Sequence, residues 1–160
     1  MKKAVSSFEY EVYDSANQLN TADQLLIKKA IEALSKSYSP YSKFQVGAAA
    51  LVKSGAIITG ANMENAAYPM CICAEGVVLS SVESTFPGQT IDTIAITAKS
   101  SSVKLLNPPT PCGACRQLIC EKENRQGRSI RVILFAEDTE IYIINTIKDI
   151  LPFSFDGSVI

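Results

Sequence analysis

Three cysteines of this 160-residue chain have the spacing of metal ligands. Cys112 and Cys115 are separated by two residues at a predicted helix start, which places both sulfur atoms on one side of the first turn. Cys73 falls at the predicted start of an earlier helix. Helix N-termini carry partial positive charge and favour thiolates, so three sulfur atoms at two such ends could surround one divalent cation. Three protein ligands leave one position open for water, which is the arrangement of a catalytic zinc site.

Glu75 stands two residues after Cys73, on the same predicted helical turn. Its carboxylate could reach water at the open position without being a ligand, so the metal would supply acidity and the carboxylate would move protons. The alternative is a closed structural site with four thiolates, in which Cys71 or Cys120 is the fourth ligand. Such a site does not need Glu75, and we expect Cys71 and Cys120 to be small apolar fillers instead.

The composition excludes several other classes of function. The chain has no histidine, which removes Ser-His-Asp triads, Cys-His nucleophile pairs and HExxH metal sites. With 15 basic and 16 acidic side chains there is no basic excess of the kind that nucleic acids select, so we expect no nucleic-acid partner. No stretch approaches the roughly 20 apolar residues of a membrane span, and no apolar signal core follows the start. We therefore expect a cytoplasmic protein with no membrane partner.

Hydrophobic periodicity and chain breakers predict the elements that must position the cysteines. Strands are predicted at about 5–13, 44–52, 56–60, 91–97, 131–135 and 140–144. Helices are predicted at about 21–37, at 74–83 and from 112 onward, with a short helical tail around 147–151. This order predicts an α/β fold, a three-layer α-β-α sandwich with a mixed central sheet. We expect residues 1–160 to form a single domain with an extra N-terminal strand at about 5–13.

The first predicted helix illustrates the detail that periodicity offers. Thr21 and Gln24 form a predicted capping box. The inner face of the helix is predicted to carry Leu25, Leu26, Ala30, Ile31 and Leu34.

The two cysteine segments together resemble the paired signature of the zinc-dependent cytidine deaminases. They read Cys73-Ala74-Glu75 and Pro111-Cys112-Gly113-Ala114-Cys115-Arg116-Gln117, the form in which a cysteine replaces the histidine of the H-x-E and P-C-x-x-C pattern. A chain without histidine fits only this three-cysteine form, which in the family is homotetrameric. The resemblance continues through Tyr38–Phe44, Val46–Ala49 and Gly60–Ala66, and it covers roughly Thr21 to Phe155.

The resemblance implies that zinc is bound by Cys73, Cys112 and Cys115 and that Glu75 is the catalytic proton shuttle. The implied reaction is hydrolytic deamination of cytidine and deoxycytidine to uridine and deoxyuridine, in pyrimidine salvage. Phe44 matches an aromatic residue that stacks near the pyrimidine, Ala74 a main-chain contact to the base, and Phe155 an aromatic that reaches a neighbouring subunit's site. The implied partners are a nucleoside and further copies of the chain, as a tetramer or a dimer. The implied substrate-binding residues are Phe44, Asn62, Met63, Glu64, Ala74 and Phe155.

Gly76 departs from this resemblance, because three-cysteine members usually have at this position an arginine that hydrogen-bonds a ligand thiolate. Three thiolates and one zinc ion sum to a charge of about −1, so the missing cation should raise the pKa of water at the site. Our hypothesis is that Arg116, Gln117 and the helix N-termini compensate for it.

Other interpretations of the same residues stay open at this stage. The zinc chemistry could act on another cytosine-containing small molecule such as blasticidin S. Its deaminase shares the cysteine triplets but lacks a loop of the type Asn62-Met63-Glu64-Asn65, which matches the family's sugar-recognition segment. A polynucleotide editor and a non-enzymatic zinc module are further classes, and the first is disfavoured by the missing basic surface. Phe44 could simply belong to the core, Asn62 and Glu64 could hold a turn, and Phe155 could dock the tail.

Overall fold

The computed structural model describes residues 1–157, so the last three residues of the predicted domain 1–160 lie outside the described residues. The described strands are β1 (Glu11–Tyr13), β2 (Phe44–Val52), β3 (Ile57–Ala61), β4 (Ile91–Ser100), β5 (Arg131–Ala136) and β6 (Ile141–Ile144). The described α-helices are α1 (Thr21–Leu34), α2 (Ala74–Thr85) and α3 (Gly113–Gln126). Short 3-10 turns lie at Ala16–Gln18, Tyr68–Met70 and Ile147–Ile150.

The strands form one mixed sheet in the order β1-β6-β5-β4-β2-β3. Strands β4 and β5 run parallel, and the other neighbouring pairs are antiparallel. Alternate residues of β2 point to opposite faces, so Ala49 contacts the cluster that contains α1 while Ala48 contacts the cluster that contains α2 and α3. Helices therefore cover both faces of the sheet, and the predicted three-layer sandwich with a mixed sheet is confirmed.

Two glycines let the helices approach the sheet closely. A Cβ atom at Gly47 would lie 2.3 Å from the carbonyl oxygen of Ala30 in α1. A Cβ atom at Gly60 would lie 2.9 Å from methyl groups of Val77 and Val78 in α2. Glycine at these positions thus sets the depth at which α1 and α2 pack, and the second contact fixes the helix whose first turn carries Glu75.

The buried face of α1 differs from the prediction. The N-cap is Asn20 rather than Thr21, since the Asn20 side chain accepts a hydrogen bond from the backbone N–H of Asp23. Asp23 turns toward the sheet, where its carboxylate receives two hydrogen bonds of 2.8 and 2.7 Å from Arg131. This ion pair places position 23 on the inner stripe, and helical periodicity then selects the other buried residues. The apolar residues on that stripe are Leu26, Ile27, Ala30 and Ala33, whereas the predicted inner residues Leu25 and Ile31 are exposed.

The N-terminal strand is shorter than the predicted 5–13. Glu11, Val12 and Tyr13 pair with Ile143, Tyr142 and Ile141, and β6 is itself only four residues long. A strand can extend only where its neighbour offers backbone partners. In this register the last residue of β6, Ile144, lies opposite Tyr10, so the residues before Tyr10 have no partner on β6. The ring of Tyr10 instead packs edge-on against Tyr142, with centroids 5.2 Å apart. None of the helices in residues 1–157 combines the length and the apolar character that a bilayer-spanning segment needs.

Candidate active site

The starts of α2 and α3 bring the predicted metal ligands together. Cys73 is the N-cap residue of α2, Cys112 is the N-cap residue of α3, and Cys115 lies in the first turn of α3. Their sulfur atoms lie within 4.8 Å of one another. Within residues 1–157, these thiols form the cluster of possible ligands compact enough to share one metal ion.

The donor set fits zinc. Zinc–thiolate bonds of about 2.3 Å in a tetrahedral site separate sulfur atoms by about 3.8 Å, so the cluster needs only a small contraction. Burial raises the pKa of the Cys73 and Cys115 thiols, whereas the backbone N–H of Cys115 lowers the pKa of Cys112. Thiols whose pKa is raised by desolvation ionise when a divalent cation compensates their charge, and the helix N-terminus already favours the Cys112 thiolate.

Glu75 lies beside this cluster as the second residue of α2. Its side chain is buried, with 4% of its surface exposed. Burial raises the pKa of its carboxyl group, and hydrogen bonds from its own backbone N–H and from the Cys115 thiol oppose that shift. A carboxyl group whose pKa is raised can take up and release protons closer to neutral pH than an exposed glutamate.

A cavity of about 460 Å³ adjoins the cysteines, within the size range of small-molecule sites. Glu75 and two of the three cysteines, Cys73 and Cys112, contribute to its wall. The cavity also brings together five of the six predicted substrate-binding residues, Phe44, Asn62, Met63, Glu64 and Ala74.

Phe155, the sixth predicted substrate-binding residue, lies elsewhere. Its side chain is exposed, and its backbone carbonyl accepts a hydrogen bond of 2.9 Å from Nε2 of Gln117. It therefore sits at the surface near α3, outside the described lining of the cavity.

The sequence interpretation missed an apolar part of the wall that Val46, Ile96 and Pro109 form. Val46 on β2 and Ile96 on β4 belong to the sheet face that α2 and α3 cover. The alternation of side-chain direction along each strand is the sequence signal that could have identified them. These side chains give the cavity the apolar lining that is typical of small-molecule sites, next to the polar atoms of Asn62 and Glu64.

Asn62 is held on three sides by the start of β2 and the loop before it. Its Oδ1 accepts hydrogen bonds from the Ser37 hydroxyl at 2.6 Å and from the backbone N–H of Val46 at 2.8 Å. Its Nδ2 donates to the carbonyl of Phe44 at 3.0 Å. The amide oxygen thus has both acceptor positions filled, whereas the amide nitrogen has one further hydrogen to give.

Glu64 is held by the turn that precedes β2. One oxygen, Oε2, accepts from the backbone N–H groups of Tyr41 and Ser42 at 2.9 and 3.2 Å, and the other accepts from the Ser42 hydroxyl. These hydrogen bonds, above all that of the Ser42 hydroxyl, lower the pKa of the Glu64 carboxyl group. Three of about four acceptor positions are used, so Glu64 is an ionised side chain with one acceptor position left.

The hydrogen bonds of Arg116 and Gln117 in the described residues go to main-chain carbonyls, and their compensation for the missing arginine at Gly76 stays a prediction. Arg116 donates to the carbonyls of Pro111 at 2.8 Å and Ile150 at 2.6 Å, and Gln117 donates to the carbonyl of Phe155. Both side chains tie α3 to the C-terminal segment, because main-chain carbonyls there need donors. The contribution expected from the helix N-termini is present, since backbone N–H groups lower the pKa of the Cys112 thiol.

The two remaining cysteines do not extend the metal cluster. Cys120 is fully buried in the core between α3 and the sheet, as expected of a small apolar filler. Cys71 is exposed, and its sulfur accepts a hydrogen bond of 3.3 Å from the backbone N–H of Asn65, so its prediction as a buried filler is wrong. The compact cluster contains three thiols, which leaves the open position of a catalytic-type site rather than a closed four-thiolate site.

The fold and this open three-thiolate site, with a buried carboxyl group beside it, define a zinc-binding α/β protein of the catalytic kind. Residues 20–127 match the family model described as the cytidine and deoxycytidylate deaminase zinc-binding region. The chain belongs to this family, and the prediction of zinc as its cofactor is confirmed. The individual assignment of Cys73, Cys112 and Cys115 as the ligands stays a prediction.

The sequences of curated proteins and the solved structures of similar proteins agree with membership of this family. The chain is 39% identical over 140 residues to the cytidine deaminase of Halalkalibacterium halodurans, which covers 82% of this chain and 92% of that protein. The crystal structure of a cytidine deaminase from Burkholderia pseudomallei matches with a TM-score of 0.70 and 34% identity, over 82% of this chain and 97% of that one. The cytidine deaminase structure from Mycobacterium tuberculosis matches with a TM-score of 0.64 and 31% identity, over 86% and 99% of the two chains.

Proposed function

We propose that this protein hydrolyses cytidine and deoxycytidine to uridine and deoxyuridine with release of ammonia, in pyrimidine salvage. The observation that carries the proposal is one cavity whose wall holds the buried Glu75 and two cluster cysteines together with the polar pair Asn62 and Glu64. Relatives that bear the name cytidine deaminase support the choice of substrate.

Glu75 performs the proton transfers in this proposal. Zinc, when bound, supplies a hydroxide nucleophile at neutral pH by lowering the pKa of water toward about 7. The Glu75 carboxylate takes the proton that the water gives up and delivers it to ring N3, which makes C4 electrophilic. It then takes the proton of the hydroxyl group that has added to C4 and passes it to the amino group, which leaves as ammonia while the C4 carbonyl forms. Its raised pKa suits both transfers, because burial makes the carboxylate a better proton acceptor than an exposed glutamate.

The polar pair Asn62 and Glu64, called the sugar pair below, explains why both nucleosides are proposed as substrates. Asn62 has one amide hydrogen left to donate, and Glu64 has one acceptor position left. Together they match a single hydroxyl group, which accepts from Asn62 and donates to Glu64. A ring hydroxyl that ribose and deoxyribose share satisfies both residues, so binding does not require a contact to the additional hydroxyl of ribose. Phe44 stacks near the base, and the main chain at Ala74 contacts it.

We also propose that the protein assembles into a homo-oligomer, a tetramer or a dimer. Large apolar side chains are exposed in the segment 63–72 that borders the cavity, on α3 and in the C-terminal segment. Burying them against a second copy would remove that surface from water. They are Met63, Tyr68, Met70, Ile72, Leu118, Phe153 and Phe155. In such an assembly Phe155 would reach the neighbouring subunit's cavity. Light scattering coupled to gel filtration measures the assembly, and a monomeric enzyme with full turnover would contradict this part of the proposal.

The proposal includes a cytoplasmic location and a single catalytic domain over residues 1–160. A reducing compartment keeps clustered thiols from pairing as disulfides, and the five cysteines are free in the structure.

Cytidine turnover by the purified zinc-loaded protein, followed by absorbance and ammonia release, tests the proposal. Glu75→Gln keeps the shape of the side chain but removes its proton chemistry, so we expect kcat to fall by about 10³-fold with zinc content unchanged. Glu121→Gln makes the same change at an exposed position of α3 and should leave kcat unaltered. Turnover of blasticidin S without turnover of cytidine would replace the proposed substrate, and full activity of Glu75→Gln would remove Glu75 from the mechanism.

A further inference from the structure

The hydroxyl group of Ser42 connects two of the predicted substrate-binding residues. Ser42 Oγ accepts the backbone N–H of Phe44 at 3.0 Å and donates to Oε1 of Glu64. Because the N–H of Phe44 occupies an acceptor position of this oxygen, the hydroxyl hydrogen is directed at the carboxylate. The hydroxyl therefore has a defined direction rather than a free rotation.

Ser42 controls the oxygen of Glu64 that is left for a ligand. The other oxygen, Oε2, stays anchored on two backbone N–H groups, those of Tyr41 and Ser42. Oε1 has the Ser42 hydroxyl as its partner and one acceptor position remaining. Without the hydroxyl, the carboxylate could rotate about its anchored oxygen, and the remaining acceptor position would lose its fixed direction.

The same hydroxyl lies in a chain of contacts that reaches Asn62. The carbonyl of Phe44 accepts from Nδ2 of Asn62, and the N–H of Phe44 donates to Ser42. The donor of the sugar pair and its acceptor are thus fixed relative to each other through one residue of β2. A chain of this kind orients two recognition groups before the ligand arrives, which improves selectivity for a hydroxyl-bearing ligand.

We propose that Ser42 is a positioning residue for sugar recognition, whose hydroxyl orients Glu64 so that the carboxylate accepts one ring hydroxyl of the nucleoside. This inference rests on the proposed function and adds to it a residue that affects the selectivity for the sugar and takes no part in the proton transfers. Its effect appears in substrate binding and in discrimination between sugars, and it leaves the proton transfers of Glu75 intact.

The test compares cytidine with 2′,3′-dideoxycytidine, which lacks both ring hydroxyls. In Ser42→Ala we expect KM for cytidine to rise about tenfold with kcat within twofold of the wild type. The kcat/KM for the dideoxy substrate should stay within twofold, so the preference for cytidine falls about tenfold. Ser42→Thr keeps a hydroxyl group at the same position, so its preference for cytidine over the dideoxy substrate should be close to that of the wild type. The control Ser35→Ala removes a hydroxyl group that donates a hydrogen bond to the carbonyl of Glu32 at the end of α1. It should leave the kinetic constants for both substrates unchanged.

A double-mutant cycle with Glu64→Gln guards against a general loss of structure. If Ser42 acts through Glu64, Ser42→Ala should change KM by less than twofold in the Glu64→Gln background. Equal loss of kcat/KM on both nucleosides, or an undiminished effect in that background, would overturn the positioning role. If the wild type turns over cytidine and Ser42→Ala keeps the same preference for cytidine, the positioning role of Ser42 is overturned while the proposed function stands. A wild-type protein that does not turn over cytidine would overturn the proposed function and this inference with it.

Discussion

The two halves of the cavity are built by different means. On the metal side, Cys73, Cys112, Cys115 and Glu75 all occupy N-cap or first-turn positions of α2 and α3. Helix geometry therefore places the residues of each helix relative to one another. On the sugar side, Asn62 and Glu64 belong to a loop and are placed by hydrogen bonds with residues 16 to 25 positions earlier. In the proposed function, rigid secondary structure therefore carries the chemistry and a hydrogen-bonded loop carries the selectivity.

This difference has consequences for the way each half fails. Removal of a ligand from the metal side takes away a group that no neighbour can replace. Removal of one contact from the sugar side leaves others in place, because Glu64 keeps its two backbone donors when the Ser42 hydroxyl is lost. We therefore expect all-or-none effects on the metal side and graded effects on KM on the sugar side.

The largest effect is expected from Cys115→Ser. Loss of this buried thiolate should abolish stoichiometric zinc binding and lower cytidine turnover by about 10³-fold or more. Cys120→Ser is the matched control, since Cys120 lies on the same helix and is buried in the core but outside the sulfur cluster. Metal analysis and kcat measure both variants. If Cys115→Ser kept its zinc, Cys115 could not be a ligand and the comparison would fail on its first half.

A graded effect is expected from Glu64→Gln. The amide has nearly the same shape but no charge, and its NH₂ group cannot accept hydrogen bonds from Tyr41, Ser42 and a sugar hydroxyl. We expect kcat/KM for cytidine to fall by about 10- to 100-fold, mostly through KM, with zinc content unchanged. Glu137→Gln, at an exposed ion pair with Lys99, is the control. A loss in kcat as large as that of Glu75→Gln would show that the sugar side also carries chemistry.

The metal side could be predicted from the sequence because its geometry is local. A Cys-x-x-Cys at a helix start and a glutamate two residues after a third cysteine fix relative positions within single turns. The β2 strand, predicted at 44–52, has the predicted bounds, since a run of small and apolar residues bounded by breakers is also a local signal.

The remaining features could not be predicted because they depend on distant residues. The ion pair between Asp23 and Arg131 joins residues 108 positions apart and rotates α1 so that Leu25 faces solvent. The contact between Ser42 and Glu64 spans 22 positions and has no periodic signature. Helix and strand patterns report which residues are apolar, whereas these contacts depend on how the loops meet in the folded chain.

The smallest effect is expected from Gly76→Arg, which probes whether the metal side tolerates a change of charge without a change of ligand. A Cβ atom at Gly76 would meet Ile72 and Leu118 at 3.8 Å, an ordinary contact, and both of those side chains are exposed. An added cation near three thiolates favours deprotonated forms, so the acid limb of the kcat profile should move to lower pH, by less than about one unit. The rate at the optimum should stay within about threefold.

Gly76→Met separates charge from bulk in this experiment. Methionine fills similar space and gains the same helix propensity over glycine, about 1 kcal/mol, but adds no charge. The acid limb of the Met variant should coincide with that of the wild type. An equal shift in both variants would trace the effect to stiffening of the first turn of α2, and no shift in either would mean that the helix N-termini already supply the compensation that the cluster requires. A shift confined to the Arg variant would show that nearby charge tunes the pH dependence of kcat on the metal side without a change of ligand. The metal side would then show graded effects as well as the sugar side.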